Sequence, residues 1–179
     1  MFGRYIEDYL KNQLVDFSVV PQKFQLPLVN FIKWRESQNL EFVSLEKTVH
    51  SKTLKFAGTV DAVAIEKVQT DKGEILRRVM FDWKTSNTIY DINALQLSAY
   101  AKAWEEMYGE KIDVACVVRI NKEKEGVQVK MVRDIEHSFH TFRAALFLHN
   151  SLTQSHFIKK DRKASKKEEE YTEEMEEKE

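Results

Sequence analysis

Three short stretches of the chain combine residue types that could hydrolyse a phosphodiester bond. They are GTVD at residues 58–61, DWK at residues 82–84 and QLSAY at residues 96–100. Acid-x-lysine triplets also occur at residues 161–163 and 176–178, but those lie in a highly charged tail. DWK instead ends an apolar run, VMFDWK, where a charge is costly unless it is paired or binds a metal. Context therefore singles out Asp82 and Lys84.

The spacing of these residues predicts a shared face. Residues two apart on a strand point the same way, so Asp82 and Lys84 project together. If residues 57–66 and 74–83 form a hairpin, Asp61 lies on the adjoining strand beside them. Two close carboxylates repel each other unless a cation bridges them, and Mg²⁺ or Mn²⁺ prefers such oxygen ligands. A neighbouring lysine can orient or deprotonate an attacking water. The alternative is structural: an Asp82–Lys84 ion pair ends the strand, and Asp61 is a turn or edge charge.

Hydrophobic periodicity predicts the elements that would position this group. Helical spacing indicates helices over residues 2–14, 26–35, 91–107 and 135–158, with Gly109 ending the third. Strand patterns occupy residues 41–50, 55–67, 74–83, 112–120 and 127–132, with hairpin turns near 68–73 and 121–126. The predicted order is ααβββαββα, which indicates an α/β fold with a central mixed β-sheet flanked by helices.

Composition limits the organisation of the chain and the chemistry open to it. The 179 residues fit one domain, predicted over residues 1–158, followed by a charged, disordered tail over 159–179. Residues 1–158 carry 21 basic and 20 acidic side chains, so bulk attraction cannot bind nucleic acid and a local basic face or a metal is needed. The single cysteine, Cys116, excludes an internal disulfide framework, a four-cysteine zinc site and a four-cysteine iron-sulfur cluster. Without a membrane-span or signal-peptide pattern, we expect a cytoplasmic protein.

Taken together, GTVD, FDWKTS and QLSAY in this element order resemble the PD-(D/E)XK nuclease superfamily, specifically its RecB-like branch. The motif-bearing stretch is residues 45–108. The resemblance implies a restriction-endonuclease-like core in which Asp61, Asp82 and the main-chain carbonyl of Trp83 bind the divalent metal. It implies that Lys84 is the catalytic lysine. It also implies that Gln96 and Tyr100, one helical turn apart, lie against the active site and the nucleic-acid path.

The sequence departs from this branch at two places. Many members carry a metal-binding histidine on the first helix, four residues after a glycine, and here Glu7 follows Gly3 at that distance. Glu7 is thus a candidate metal ligand or an exposed helix residue. The cysteines of the iron-sulfur members are absent. Glu46, on the strand before Asp61, is either a supporting acid behind the metal ligands or a surface glutamate.

The sequence therefore predicts a Mg²⁺- or Mn²⁺-dependent deoxyribonuclease acting on single- or double-stranded DNA. Small size suggests a stand-alone exonuclease of a virus or mobile element, in the host cytoplasm if viral. The alternatives are a structure-selective endonuclease of the junction-resolvase type and a catalytically silent nucleic-acid-binding subunit. No membrane association is expected, and the charged tail is a candidate site for a protein partner. Candidate phosphate contacts are Arg77, Arg78, Arg119, Lys122 and Lys124.

Overall fold

The structure, a computed structural model, describes residues 2–154, without the side chain of residue 154. Its elements are α1 (Phe2–Asn12), α2 (Gln22–Glu36), β1 (Leu40–Ser51), β2 (Phe56–Thr70), β3 (Gly73–Lys84), α3 (Asp91–Tyr108), β4 (Val114–Ile120), β5 (Val127–Met131) and α4 (Ile135–Gln154). The predicted order ααβββαββα is confirmed. Residues up to Phe142 belong to one compact unit that holds every strand, and α4 from Arg143 onward belongs to a second.

The five strands form one mixed sheet in the order β1-β2-β3-β4-β5. Neighbouring strands are antiparallel except β3 and β4, which are parallel and joined through α3. A parallel pair needs such a crossover because its strands cannot be linked by a tight turn. The carboxyl ends of β3 and β4 therefore lie at the same edge of the sheet.

Helices cover both faces of the sheet. On one face, Ile6 of α1 and Phe31 of α2 pack in one apolar cluster with Phe81 of β3 and with buried residues of β2 and β4. On the other face, α3 packs residues such as Leu97 and Trp104 against the same strands. Burial of these side chains supplies the main stabilising term, about 1.5 to 3 kcal/mol for each large apolar residue. The catalytic candidates are thus carried by the most buried strands.

Several predicted boundaries are wrong. α2 begins at Gln22, four residues before the predicted start, and tolerates Pro27 inside the helix. The hairpin turn predicted over 68–73 contains only Asp71 and Lys72, because β2 continues to Thr70. Gly109 ends α3 in a left-handed conformation, as predicted. The predicted end of the last helix and the whole tail lie outside the described residues.

No helix within residues 2–154 is long and apolar enough to cross a membrane.

Candidate active site

The candidate site lies where β2 and β3 separate. Their last paired residues are Ala62 and Phe81; beyond that point β2 pairs only with β1, and β3 pairs only with β4. Asp61 and Asp82 are the first residues past this last pair, so they stand opposite each other where the two strands diverge. The sheet thereby opens a gap between two central strands and places one carboxylate on each side of it.

Two hydrogen bonds fix the groups around the gap. The Trp83 backbone N–H donates to Asp61 Oδ2 at 2.6 Å, which replaces the lost ladder bond with a side-chain acceptor. Lys84 Nζ donates to Asp82 Oδ1 at 2.9 Å, and both side chains are largely buried. The structure thus brings Asp61, Asp82 and Lys84 together, and it also contains the ion pair of the structural alternative.

The two carboxylates carry an electrostatic cost. Burial raises the pKa of Asp61 to about 7; the Trp83 N–H opposes this shift, and the negative charges of Asp82 and Glu46 add to it. Burial also raises the pKa of Asp82 above its ordinary value, against the lowering effect of Lys84. Asp82 Oδ2 is buried and has no hydrogen-bond partner among the described residues. A second positive charge in the gap would relieve both costs.

Glu46 extends the pair to a row of three acids. The pairs Leu45–Ala62 and Lys47–Val60 flank it, so Glu46 faces Asp61 across β1 and β2. Its backbone has φ 45°, a left-handed conformation that costs about 1 to 2 kcal/mol for a residue with a Cβ. Burial, then the charge of Glu7, raises the pKa of Glu46. Such strain is typical of functional sites, and no residue type near Glu46 in the sequence signals it.

Glu7 is the second glutamate near the gap between β2 and β3, and it neighbours Glu46 more closely than it neighbours Asp61. Its side chain forms an ion pair with Lys11 one helical turn away. The charge of Glu7 acts on Glu46, whereas the charge of Glu46 acts on Asp61. The first turn of α1 lies close to Glu46, since a Cβ added at Gly3 would be in ordinary contact with Glu46 Oε1 at 3.7 Å. Glu46 is therefore the better placed of the two glutamates to complete the site.

Trp83 anchors the strand that carries the site. Its ring contacts those of Phe31 and Phe81, with centroids 5.1 and 5.2 Å away, and also lies close to Trp34. Edge-to-face and offset aromatic pairs of this kind add to the stability gained by burial. The resemblance assigns a role to the Trp83 carbonyl, and the structure adds one for its N–H, which orients Asp61.

Gln96 and Tyr100 form a pair on α3 that packs against β2. Gln96 Nε2 donates to the Tyr100 hydroxyl at 3.1 Å. The tyrosine ring occupies the space beside Gly58, where an added Cβ would come within 2.3 Å of ring and hydroxyl atoms. Because Gly58 has no side chain, the Tyr100 ring can pack directly against its backbone. The sequence analysis did not predict this contact between the GTVD and QLSAY motifs. Within the described residues no hydrogen bond joins Tyr100 to Lys84.

The donor set suits a hard divalent cation. Two carboxylates offer oxygen ligands, and one of those oxygens is buried without a partner. In residues 2–154 no group of three or more His, Cys, Asp or Glu side chains has the arrangement of a metal cage. Mg²⁺ needs no such cage, since it is commonly held by one or two carboxylates together with waters and substrate phosphates. The residues present thus fit Mg²⁺ or Mn²⁺.

The basic candidates divide into two groups. Arg77 and Arg78 are not beside the site, because strand geometry puts Arg77 about 16 Å along β3 from Asp82. Arg77 pairs with Glu66, and Arg78 donates to the backbone carbonyl of Lys111. Arg119 instead neighbours Lys84 across β3 and β4.

No protein-family model matches the sequence, and no curated protein matches it.

Proposed function

We propose that this chain is a divalent-metal-dependent nuclease that hydrolyses DNA phosphodiester bonds, with the restriction-endonuclease-like core of the RecB-like PD-(D/E)XK enzymes. The observation that carries the proposal is the meeting of Asp61, Asp82 and Lys84 at the point where β2 and β3 diverge. Three side chains from two strands converge there: Asp61, Asp82 with its orphaned carboxylate oxygen, and the partly buried Lys84.

Each residue has a role in the proposed chemistry. Asp61 and Asp82 would hold Mg²⁺ or Mn²⁺ together with the Trp83 carbonyl and waters, and Glu46 would lie behind this pair as a supporting acid. Once bound, the ion would supply charge stabilisation for the phosphate under attack. Lys84, kept in place by Asp82, would orient the attacking water, and in its neutral amine form it would take up the water proton. The Trp83 N–H fixes the Asp61 carboxylate, and the Gln96–Tyr100 pair supports β2 next to it.

We further propose that the chain is a stand-alone enzyme that acts at DNA ends. All of the proposed groups belong to one compact unit, so cleavage would need no residue from another chain. The experiment offers end-labelled linear single and double strands beside a closed circle, with Mg²⁺, Mn²⁺ or EDTA. We expect metal-dependent loss of mononucleotides from linear DNA and an intact circle.

Other results would redirect the proposal. Nicking or opening of the circle would favour an endonuclease. Binding to DNA without cleavage under any metal would favour the catalytically silent subunit. Asp82→Asn provides the control for contaminating nuclease, because it removes a proposed ligand while keeping the side-chain shape. Cleavage by Asp82→Asn at the parent rate would exclude this site as its source.

A further inference from the structure

A polar cleft of about 220 Å³ lies immediately beyond Lys84, at the carboxyl ends of β3 and β4. One wall is formed by residues 85–87, which follow β3 with two hydroxyls and an amide. The other is formed by Arg119 and residues 121–124, which include two lysines. Three cations face one acid, Glu123, so the cleft is net positive in a unit that is otherwise nearly neutral.

Arg119 connects this cleft to the candidate active site. It is the register partner of Lys84 on β4 and lies on the α3 side of the sheet, two residues after buried Val117. Its Nε donates to the Ser86 carbonyl at 2.9 Å, which holds the guanidinium against the segment after β3. In the described part of the chain its two terminal nitrogens make no hydrogen bond, so they remain available as donors.

The loop between β4 and β5, residues 121–126, carries the two lysines and is held in place by a side chain of α2. Buried Asn30 of α2 donates to the carbonyls of Asn121 and Lys124, and its Oδ1 accepts from the Gly126 N–H. Asn121 Oδ1 in turn accepts the N–H groups of Glu123 and Lys124. Five hydrogen bonds therefore fix a short loop whose lysine side chains stay exposed. Because the backbone of this loop is already fixed, it loses little further freedom when an anion binds to its lysines.

We propose that this cleft binds the DNA phosphate next to the one that is cleaved. Neighbouring strands lie about 4.8 Å apart, and successive phosphates of one DNA strand advance about 3.4 Å along the helix axis. A strand with its scissile phosphate at Lys84 thus brings a flanking phosphate within reach of Arg119 and the loop lysines. The assignment of the phosphate as a flanking one rests on the proposed nuclease function. The cleft itself would select phosphate by its charge and by the Thr85 hydroxyl, since the Ser86 hydroxyl already donates to the Thr88 carbonyl.

The test compares two variants that lose the same charge. Lys122→Gln/Lys124→Gln neutralises the cleft, and Lys67→Gln/Lys72→Gln neutralises two exposed lysines near the β2–β3 turn. Affinity for a short single-stranded oligonucleotide is measured by fluorescence anisotropy in Ca²⁺, over a range of salt. The cleft variant should bind roughly tenfold more weakly than the parent. Its salt slope should fall by about 0.7, the contribution of one single-strand phosphate contact. The control variant should match the parent.

A neutral-phosphate scan then locates the contact. Oligonucleotides with one methylphosphonate at each successive position are bound to the parent and to the cleft variant. One position should weaken binding to the parent and have a clearly smaller effect in the cleft variant, where the lysine part of the same contact is already lost and only Arg119 remains. Equal losses at every position in both proteins, or equal affinity of cleft and control variants, would overturn the proposal.

Binding and cleavage separate the two proposals. If the parent cuts DNA but the cleft variant behaves like the control, the nuclease assignment stands and the cleft assignment is wrong. If no DNA is cut but one phosphate position depends on the cleft lysines, the cleft binds phosphate and the nuclease assignment is wrong.

Discussion

Replacing Asp61 with asparagine should stabilise the metal-free protein at alkaline pH. Asparagine keeps an oxygen that can accept the Trp83 N–H, and it removes the charge that burial penalises. The pKa of Asp61 rises from 3.8 to about 7 in the folded protein. At about 1.4 kcal/mol per unit, the charged carboxylate costs up to about 4 kcal/mol.

The sign of this effect follows from proton binding. Between about pH 4 and 7 the unfolded chain has released the Asp61 proton while the folded chain keeps it, so stability of the parent falls as the pH rises. Asp61→Asn lacks this dependence. The difference in unfolding free energy between the two proteins should therefore be small near pH 4 and reach its maximum above about pH 7.

The assay is urea unfolding in EDTA across this pH range, repeated with Mg²⁺ at alkaline pH. Asp71→Asn, in the β2–β3 turn, is the control because it removes one exposed carboxylate charge. Mg²⁺ should stabilise the parent and not Asp61→Asn, since binding to the folded state alone adds stability. If Asp61→Asn is no more stable than the parent above pH 7, or if its advantage does not change with pH, the electrostatic reasoning is wrong.

Three further predictions concern packing, loop anchoring and the metal. Gly58→Ala should destabilise the protein by about 1 to 3 kcal/mol in urea unfolding, because its Cβ meets the Tyr100 ring. In a Tyr100→Ala background the same substitution should cost less unfolding free energy, and an equal cost in both backgrounds would contradict the contact. Asn30→Ala should cost about 1 to 3 kcal/mol by leaving loop groups unpaired, and should speed amide exchange at Gly126; unchanged exchange there would argue against the anchor. Ca²⁺ should support DNA binding without cleavage, because it tolerates geometry that Mg²⁺ does not; rapid cleavage in Ca²⁺ after removal of other ions would count against the mechanism.

Elements were predicted well where the hydrophobic periodicity and the residues that begin or end an element indicated the same boundaries. α3, for example, has both a clear apolar stripe and Gly109 to end it. The helix α2 was predicted less well, because Pro27 conceals a helix that begins at Gln22. The proximity of Asp61, Asp82 and Lys84 followed from strand alternation and one hairpin, both of which are local rules.

Other parts of the site depend on long-range geometry. The position of Glu46 opposite Asp61 requires an irregular register in β1 and a left-handed backbone, and neither has a signature in the residue types. The fit of Tyr100 beside Gly58 depends on how closely α3 approaches β2. Arg77 and Arg78 precede Asp82 by only a few residues, but an extended strand separates them from the site by more than about 10 Å, so their closeness in sequence did not indicate closeness in space.

The central claim is tested most directly by the initial rate of DNA cleavage in Mg²⁺ for the parent and for Lys84→Ala. Lys67→Ala on β2 serves as the matched control, and thermal melts establish that all three proteins are folded. Removing a group that orients or deprotonates water should lower the rate at least about a hundredfold, while the control should keep the parent rate. Cleavage by folded Lys84→Ala as fast as by the parent would contradict the account.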